Sequence, residues 1–227
     1  MNKVLTITKL NISQIKTAYF IIGLVFLLML VSFIINVCIG DADDNTNVSM
    51  GNTFALLPVF AAIFIPARNL RKTMNLGVRR NDFFRSCIPI YAILSAAVTL
   101  IMFIFHFTVD RIADKFLYEL YDMSEVFGYY SNGIIIAFFQ MFAFLLLVAA
   151  FTHTLTLAQT AWYGWVADIL IVAIISVFTP IAPLRAAEAK FFYVIMFADP
   201  AIQISACLVL TAAFYALSKP VLNRVKM

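Results

Sequence analysis

Charged residues are scarce in this chain. Lysine, arginine, aspartate and glutamate make up 12% of its 227 residues, about half the share found in typical soluble domains. Hydrophobic residues make up 63%, and phenylalanine alone occurs 23 times. A soluble fold cannot hide so much apolar surface from water. The composition therefore excludes an ordinary soluble domain.

Cysteine and histidine are also few. Cys38, Cys87 and Cys207 show no CxxC or Cys/His spacing, so no zinc site is predicted. Each lies in or beside a predicted span, and we interpret all three as small apolar packing residues. His106 and His153 have no second histidine or carboxylate at metal-ligand spacing. We interpret both as polar ends of membrane helices.

The common catalytic motifs are missing. The chain has no HExxH, no GxSxG and no GxxxxGK[ST] phosphate loop. An integral membrane enzyme would need such a constellation within its spans, so we expect a non-catalytic chain. If ATP powers it, a separate chain must bind the ATP and Mg²⁺. The chain itself is expected to hold no cofactor.

What the chain does contain is a series of apolar runs. Several approach the ~20 residues that a membrane-spanning helix needs, and the mean hydropathy is +0.96. We predict an all-α, polytopic membrane protein with a single transmembrane domain over residues 1–227. An interfacial helix is predicted over residues 1–17. The six predicted spans are 20–39, 52–67, 86–107, 133–153, 162–180 and 201–218.

The positive charges predict an orientation. Twelve of the sixteen lysines and arginines lie in the N-terminal tail, the connection between spans two and three, and the C-terminal tail. The positive-inside rule places these segments, and therefore both termini, in the cytoplasm. The net charge of +4 is thus interpreted as a topology signal, and no nucleic-acid partner is expected.

Two outer segments have patterns of their own. Ile112, Phe116, Leu120, Met123 and Phe127 recur at helical spacing, which predicts an amphipathic helix on the outer surface after Asp110. Before span six, Asp199 and Pro200 interrupt an apolar stretch. We predict a break there, with a re-entrant or surface piece over residues 191–198, Asp199 capping span six and Pro200 as its first residue. Pro180 and Pro183 are predicted to end span five and to bound the same excursion.

Three polar residues lie within predicted spans. Asp168 is an acid in "WVADILIVAII", and a charge at mid-bilayer costs roughly 2.5–3.5 kcal/mol on insertion scales. It is either a residue of the transport path or one that reaches the cytoplasmic interface or pairs with Arg85. Gln140 and Asn36 are predicted to form hydrogen bonds between helices.

The stretch "NLGVRRNDFF", residues 75–84, lies in the most basic segment of the chain. Six of the sixteen basic residues fall within residues 68–85: Arg68, Arg71, Lys72, Arg79, Arg80 and Arg85. Topology and binding of anionic lipid account for such charge, but not for its arrangement. Gly77 predicts a helix break, Asn81 or Asp82 an N-cap, and the following phenylalanines a return to the membrane.

This stretch resembles a family signature. The letters "GVRRNDFF" are similar to the "G-[VI]-[ST]-R-x-x-[FY]-[FY]" string in the coupling-helix region of ABC-2-type permeases, with Arg79 in place of the usual hydroxyl residue. These permeases are small six-span subunits of ATP-binding-cassette exporters, common in Gram-positive bacteria. The N-terminal helix, the basic connection and the broken outer segment give the whole chain a similar layout.

The resemblance implies partners and a mechanism. A second permease copy, identical or paralogous, would pair with this chain in the bacterial cytoplasmic membrane. The N-terminal helix and spans one, two and five would line the pair's interface and path. Each permease would contact a P-loop ATPase subunit that binds ATP and Mg²⁺. The expected docking element, a coupling helix, comprises Asn75, Leu76, Gly77, Val78, Arg79, Arg80, Asn81, Asp82, Phe83 and Phe84.

The cargo is less narrowly defined. Spans rich in phenylalanine and leucine favour amphipathic or hydrophobic cargo, and small permeases of this kind resemble exporters of toxin or antimicrobial peptides, including phenol-soluble modulins, or bacteriocin-immunity transporters. The alternatives are an ABC permease for lipid or drug, and an ATP-independent secondary transporter or channel. The latter would favour paired ionisable residues near mid-bilayer.

Overall fold

The fold is almost entirely helical. The computed structural model describes residues 3–39, 47–114 and 120–224. Within these residues the α-helices are α1 Lys3–Gln14, α2 Lys16–Ile39, α3 Leu56–Phe64, α4 Leu70–Asn75, α5 Arg80–Phe105, α6 Arg111–Asp114, α7 Met123–Val126, α8 Ile134–Ala158, α9 Trp162–Phe178, α10 Ala182–Met196 and α11 Pro200–Arg224.

Five helical runs in the described part of the chain are long and apolar enough to cross a membrane. They are Thr6–Val31, Met50–Asn75, Arg80–Asp110, Ile134–Ala158 and Pro200–Arg224. The pair α9 and α10, bent by 118°, would add a sixth if it counts as one span. The prediction of a mostly helical chain with several helices long and apolar enough to span a membrane is therefore confirmed. Its orientation in the membrane stays a prediction.

The second and third spans are longer than predicted. The second is one helical run that starts with a 3₁₀ turn at Met50–Ala55 and includes a π turn at Ile65–Asn69. Pro66 lies in that π turn, where the wider turn accommodates a residue that cannot donate a backbone hydrogen bond. The helix then continues past the apolar segment, and the charged residues Arg71 and Lys72 of its last turns are exposed.

The N-terminal residues form the predicted helix over residues 3–14. A single residue, Ile15, separates α1 from α2, and the apolar window Thr6–Val31 includes both helices. Helix α1 packs against α5, with Ile7 and Asn11 buried. It is therefore attached to the bundle, and its position at the membrane interface remains a prediction.

The predicted break before the last span is confirmed, because α10 ends at Met196 and α11 starts at Pro200. Helix α10 starts at Ala182, immediately after the turn that ends α9, and runs to Met196. The chain bends by 118° near Pro180, as predicted from Pro180 and Pro183, and Pro183 fits the first turn of the new helix. The piece before the last span is therefore longer than the predicted residues 191–198. The prediction that Pro200 is the first residue of the last span is confirmed.

The loops gather at two ends of the bundle. At one end the start of α5 contacts α1 and the end of α11. At the other, Asn47–Val48 and Leu120–Tyr121 form a short parallel strand pair. The predicted amphipathic helix is wrong at Leu120 and Tyr121, because their backbone pairs with this strand. Helix α8 packs against α3, α5 and α11 at the centre of the core.

Candidate functional site

The basic connection, residues 68–85, forms a tight joint that we call the basic elbow. Helix α4 ends at Asn75, and Gly77 adopts the left-handed conformation, with φ of +77°. Gly77 N–H donates to the Met74 carbonyl (2.9 Å), and Val78 N–H to the Thr73 carbonyl (3.2 Å). These two bonds make a Schellman motif. The predicted break at Gly77 is confirmed, and the backbone there is fixed by hydrogen bonds.

Helix α5 starts earlier than predicted. Its N-cap is Arg79, in an extended conformation and without a side-chain cap. Asn81 and Asp82 therefore lie in the first turn, so the predicted N-cap at either residue is wrong. The Schellman turn is so short that the next helix can begin at Arg80. Asp82 still stabilises this end, because an acid in the first turn favours the helix dipole.

The residues of the implied coupling helix do not form a helix of their own. They comprise the last residue of α4, the turn 76–79, and the first residues of α5. Leu76 has 72% of its surface exposed, and Arg79 is exposed beside it. Phe83 is fully buried. The stretch thus presents a leucine and an arginine outward while a phenylalanine anchors it in the core.

The basic elbow is joined to the N-terminal helix. Asn11 Nδ2 donates to Ser86 Oγ (3.5 Å), and Thr8 Oγ1 donates to the Ser86 carbonyl (3.4 Å). Ser86 Oγ in turn donates to the Phe83 carbonyl (2.6 Å). Asn11 and Ser86 are fully buried, so these bonds are shielded from water and fix α1 against the start of α5.

It is also joined to the last span and the first. Arg80 donates from Nη1 to the Asn223 carbonyl near the end of α11. One turn further along α5, the Phe84 ring contacts Tyr215 edge to face, with centroids 6.2 Å apart. At the α4 side, Arg68 donates to Thr17 Oγ1 (3.2 Å). A force on the elbow would therefore act on α1, α2, α5 and α11 together.

A cleft lies between the basic elbow and α1. Its volume is about 450 Å³, and its lining residues are Thr6, Ile7, Leu76, Gly77, Val78, Arg79 and Asp82. The lining combines apolar side chains with one base and one acid. Such a concave surface of mixed polarity can receive a side chain of a protein partner.

Of the three predicted polar residues within spans, the structure places two among hydrogen bonds. Asp168 accepts a hydrogen bond from Gln159 Nε2 (2.5 Å), so its partner is at the end of α8 and not Arg85. Gln140 is buried, and its side-chain oxygen accepts from Asn132 (3.3 Å). The Asn36 side chain lies outside the described part of the structure.

A second buried amide was missed. Gln203 on α11 is fully buried, and its Nε2 donates toward the carbonyls of Gln140 (3.3 Å) and Ile195 (3.2 Å). The predicted interhelical bond at Gln140 is thus made through its backbone. A lone amide in "AIQISACLV" is the same signal that singled out Gln140, so the sequence could have revealed it.

The histidines are not exposed helix ends. His153 is fully buried, and a hydrogen bond joins its Nδ1 to the Tyr91 hydroxyl (2.8 Å). His106 is half-buried and stacks on Tyr130, with ring centroids 4.2 Å apart. Cys87 and Cys207 are free and buried, which confirms their predicted packing role. Among the described residues, no three histidine, cysteine, aspartate or glutamate side chains are grouped as metal ligands would be.

The end opposite the basic elbow is closed by polar contacts. Asn52 accepts from the Met123 N–H (3.0 Å) and donates to the Tyr121 carbonyl (3.1 Å). Asp122 is fully buried and accepts from the Tyr130 hydroxyl (2.7 Å). Burial raises the pKa of Asp122 above its ordinary value, although the Tyr130 bond and nearby His106 oppose this shift. No sequence pattern identified this contact set.

The comparisons with known proteins add no relative. No family model, curated protein or solved structure matches the chain.

Proposed function

We propose that this chain is the permease subunit of an ABC-2-type exporter and that its basic elbow docks on a separate P-loop ATPase. The observation that carries the proposal is an exposed turn, fixed by a Schellman motif and bonded to the N-terminal helix and the last span. In this proposal the elbow faces the cytoplasm of a bacterium, and ATP and Mg²⁺ bind to the ATPase alone.

The construction of the basic elbow supports a role in transmitting motion. The turn has two backbone hydrogen bonds that resist bending, and the anchor Phe83 is fully buried. A push on Leu76 or Arg79 would therefore move the start of α5 as a unit. Through Ser86 and Arg80 it would also move α1 and α11. The partner surface would supply an acid for Arg79 and an apolar recess for Leu76.

Helix α9 supports pairing with a second permease. Gly164 is its one buried residue, whereas Ile169, Val172 and Ile175 are each more than half exposed. This continuous apolar face fits the arrangement implied by the family resemblance, in which span five lines the interface between two permeases and the transport path. Either lipid or a second permease covers this face, and cysteine cross-linking distinguishes the two. Val172→Cys in vesicles should give a disulfide-linked dimer, whereas Ile93→Cys on α5, which is 54% exposed, should not.

The cargo in this proposal is amphipathic or hydrophobic, with peptides favoured. The alternative is an ATP-independent transporter or channel. The two differ in their energy source. Purified chain alone in vesicles should move no cargo without the ATPase and ATP. Transport that runs on a proton gradient and is abolished by Asp168→Asn would establish the alternative instead.

Docking is tested by reversing the exposed surface of the basic elbow. The double variant Leu76→Asp, Arg79→Glu changes two exposed side chains and leaves the buried anchor intact. We expect ATPase recovery with the detergent-solubilised chain to fall at least about tenfold, because like charges at an interface cost several kcal/mol. The matched control is Lys219→Glu, which reverses the charge of an exposed lysine near the end of α11 that contacts Arg80.

Each result of this experiment has a clear meaning. If the double variant still recovers the ATPase as wild type does, the docking site is elsewhere. If Lys219→Glu lowers recovery equally, general charge attraction explains the association and the elbow has no specific role. If no ATPase accompanies the wild-type chain from its native membrane, the exporter proposal itself is wrong.

A further inference from the structure

A second concave surface lies at the end of the bundle opposite the basic elbow. This groove has the last turns of α5 and the π turn His106–Asp110 that follows them on one side, and the first turns of α8 on the other. Its volume is about 530 Å³, and its lining residues are Leu100, Phe103, Ile104, Phe107, Thr108, Ile134, Ile135 and Phe138. The groove is separate from the elbow and from α9, and it has no part in the proposed docking.

The groove opens outward from the bundle. Leu100 and Ile104 are each more than half exposed, and Ile135 is 75% exposed. These residues belong to helices that are apolar and long enough to span a membrane. A groove on that outer surface faces hydrocarbon, so its occupant comes from the bilayer and not from water.

The chemistry of the walls excludes a peptide backbone as occupant. Thr108 is the one polar residue in the lining, and its hydroxyl already donates to the Ile104 carbonyl (2.5 Å). An extended peptide would bring backbone N–H and C=O groups that have no partner there, at a large cost in an apolar environment. An acyl chain has no such groups and fits the walls without cost.

A positive charge stands at the mouth of the groove. The Arg111 guanidinium carbon lies 5.2 Å from the centroid of the Phe107 ring, which lines the groove. Arg111 is exposed, whereas its neighbour Asp110 is turned inward and only 3% exposed. The stacked ring orients the guanidinium, and its N–H groups match the geometry of a phosphate.

We propose that this groove binds one glycerophospholipid, with an acyl chain along the apolar walls and the phosphate at Arg111. The two features select the same molecule, because a phospholipid joins an apolar chain to an anionic phosphate. Basic groups beside grooves between membrane helices are a recurrent way to hold such headgroups. The site would place an ordered lipid against α5, the helix that starts at the basic elbow.

The test uses the full chain in detergent, with native mass spectrometry as the measurement. Phosphatidylglycerol and diacylglycerol with identical acyl chains are compared, so that only the phosphate headgroup differs. We expect phosphatidylglycerol to bind about fivefold more tightly, as one arginine near a phosphate would give. Arg111→Gln should remove this difference while leaving the binding of diacylglycerol unchanged.

Two further variants separate the groove from general charge effects. Ile135→Trp fills the groove and should weaken both lipids, with an unchanged unfolding transition as the check on folding. Arg185→Gln on α10 removes another exposed arginine and should change neither. Equal binding of the two lipids to wild type would overturn the proposal. So would an equal loss in Arg111→Gln and Arg185→Gln. Because no ATPase is present, a failure here leaves the docking proposal intact.

Discussion

Helices α8 and α9 are neighbours in sequence and alike in apolar character, yet they are packed very differently. Thirteen of the twenty-five residues of α8 are buried, whereas α9 buries one of its seventeen. Helix α8 carries alanines on its packed faces, which let neighbouring helices approach closely. Helix α9 also has small residues, Gly164, Ala167 and Ala173, but isoleucine, valine and tryptophan dominate its exposed surface. Apolarity therefore predicts insertion in a membrane, but it does not determine which helix the chain itself covers.

The largest contrast is expected when a large ring is inserted into each helix. Ala149 on α8 is fully buried in the core, so Ala149→Trp should lower the free energy of unfolding by about 3 kcal/mol, because the close-packed core cannot expand. Ala173 on α9 is exposed, and Ala173→Trp should change the free energy of unfolding by less than about 0.5 kcal/mol. Denaturation in mixed detergent micelles, followed by circular dichroism, measures both.

The same pair of variants tests what covers α9. If a second permease lies there, Ala173→Trp should lower the dimer fraction in cross-linking while the unfolding of the monomer stays as in wild type. A loss of monomer stability in Ala173→Trp equal to that in Ala149→Trp would mean that α9 is packed within the chain, and the contrast between the two helices would be wrong.

Much of this architecture could be predicted from sequence, because it depends on local signals. Apolar runs located the spans, and Gly77 and Pro200 marked a helix end and a helix start. The N-cap at Arg79 was missed because backbone geometry, and not a capping side chain, determines where α5 begins. The bond from Arg80 to Asn223 joins residues far apart in sequence. No periodicity reports such a contact, so this part of the candidate site required the structure.

The next contrast concerns glycine. Gly164 lies in the first turn of α9, next to the end of α8, and a Cβ there would collide with the Ala158 carbonyl oxygen. Since backbone must move to relieve this contact, Gly164→Ala should cost about 1–3 kcal/mol. Gly23 in α2 has no atom within 4 Å of such a Cβ. Gly23→Ala should instead gain about 0.5–1 kcal/mol, because alanine favours the helix.

The free energies of unfolding of Gly164→Ala and Gly23→Ala are measured by the same denaturation in detergent micelles. The result bears on how α9 is held, because Gly164 is the one residue of α9 that is buried against the bundle. If Gly164→Ala were as mild as Gly23→Ala, the joint between α8 and α9 would be loose, and the direction of α9 would not be set by this contact.

The smallest contrast concerns one side-chain hydrogen bond on each helix, that of His153 on α8 and that of Asp168 on α9. Tyr91→Phe would leave the buried His153 Nδ1 on α8 without its hydrogen-bond partner, at a cost of about 1–2 kcal/mol. Gln159→Met would remove the donor to Asp168 on α9, but water can replace that donor because Gln159 is exposed. Its cost should stay below about 0.5 kcal/mol.

A double variant, Tyr91→Phe with His153→Leu, removes both buried polar groups and should recover part of the stability lost in Tyr91→Phe, since no unpartnered group remains. If it recovers nothing, shape and not hydrogen bonding accounts for the loss, and the polar contrast between α8 and α9 disappears.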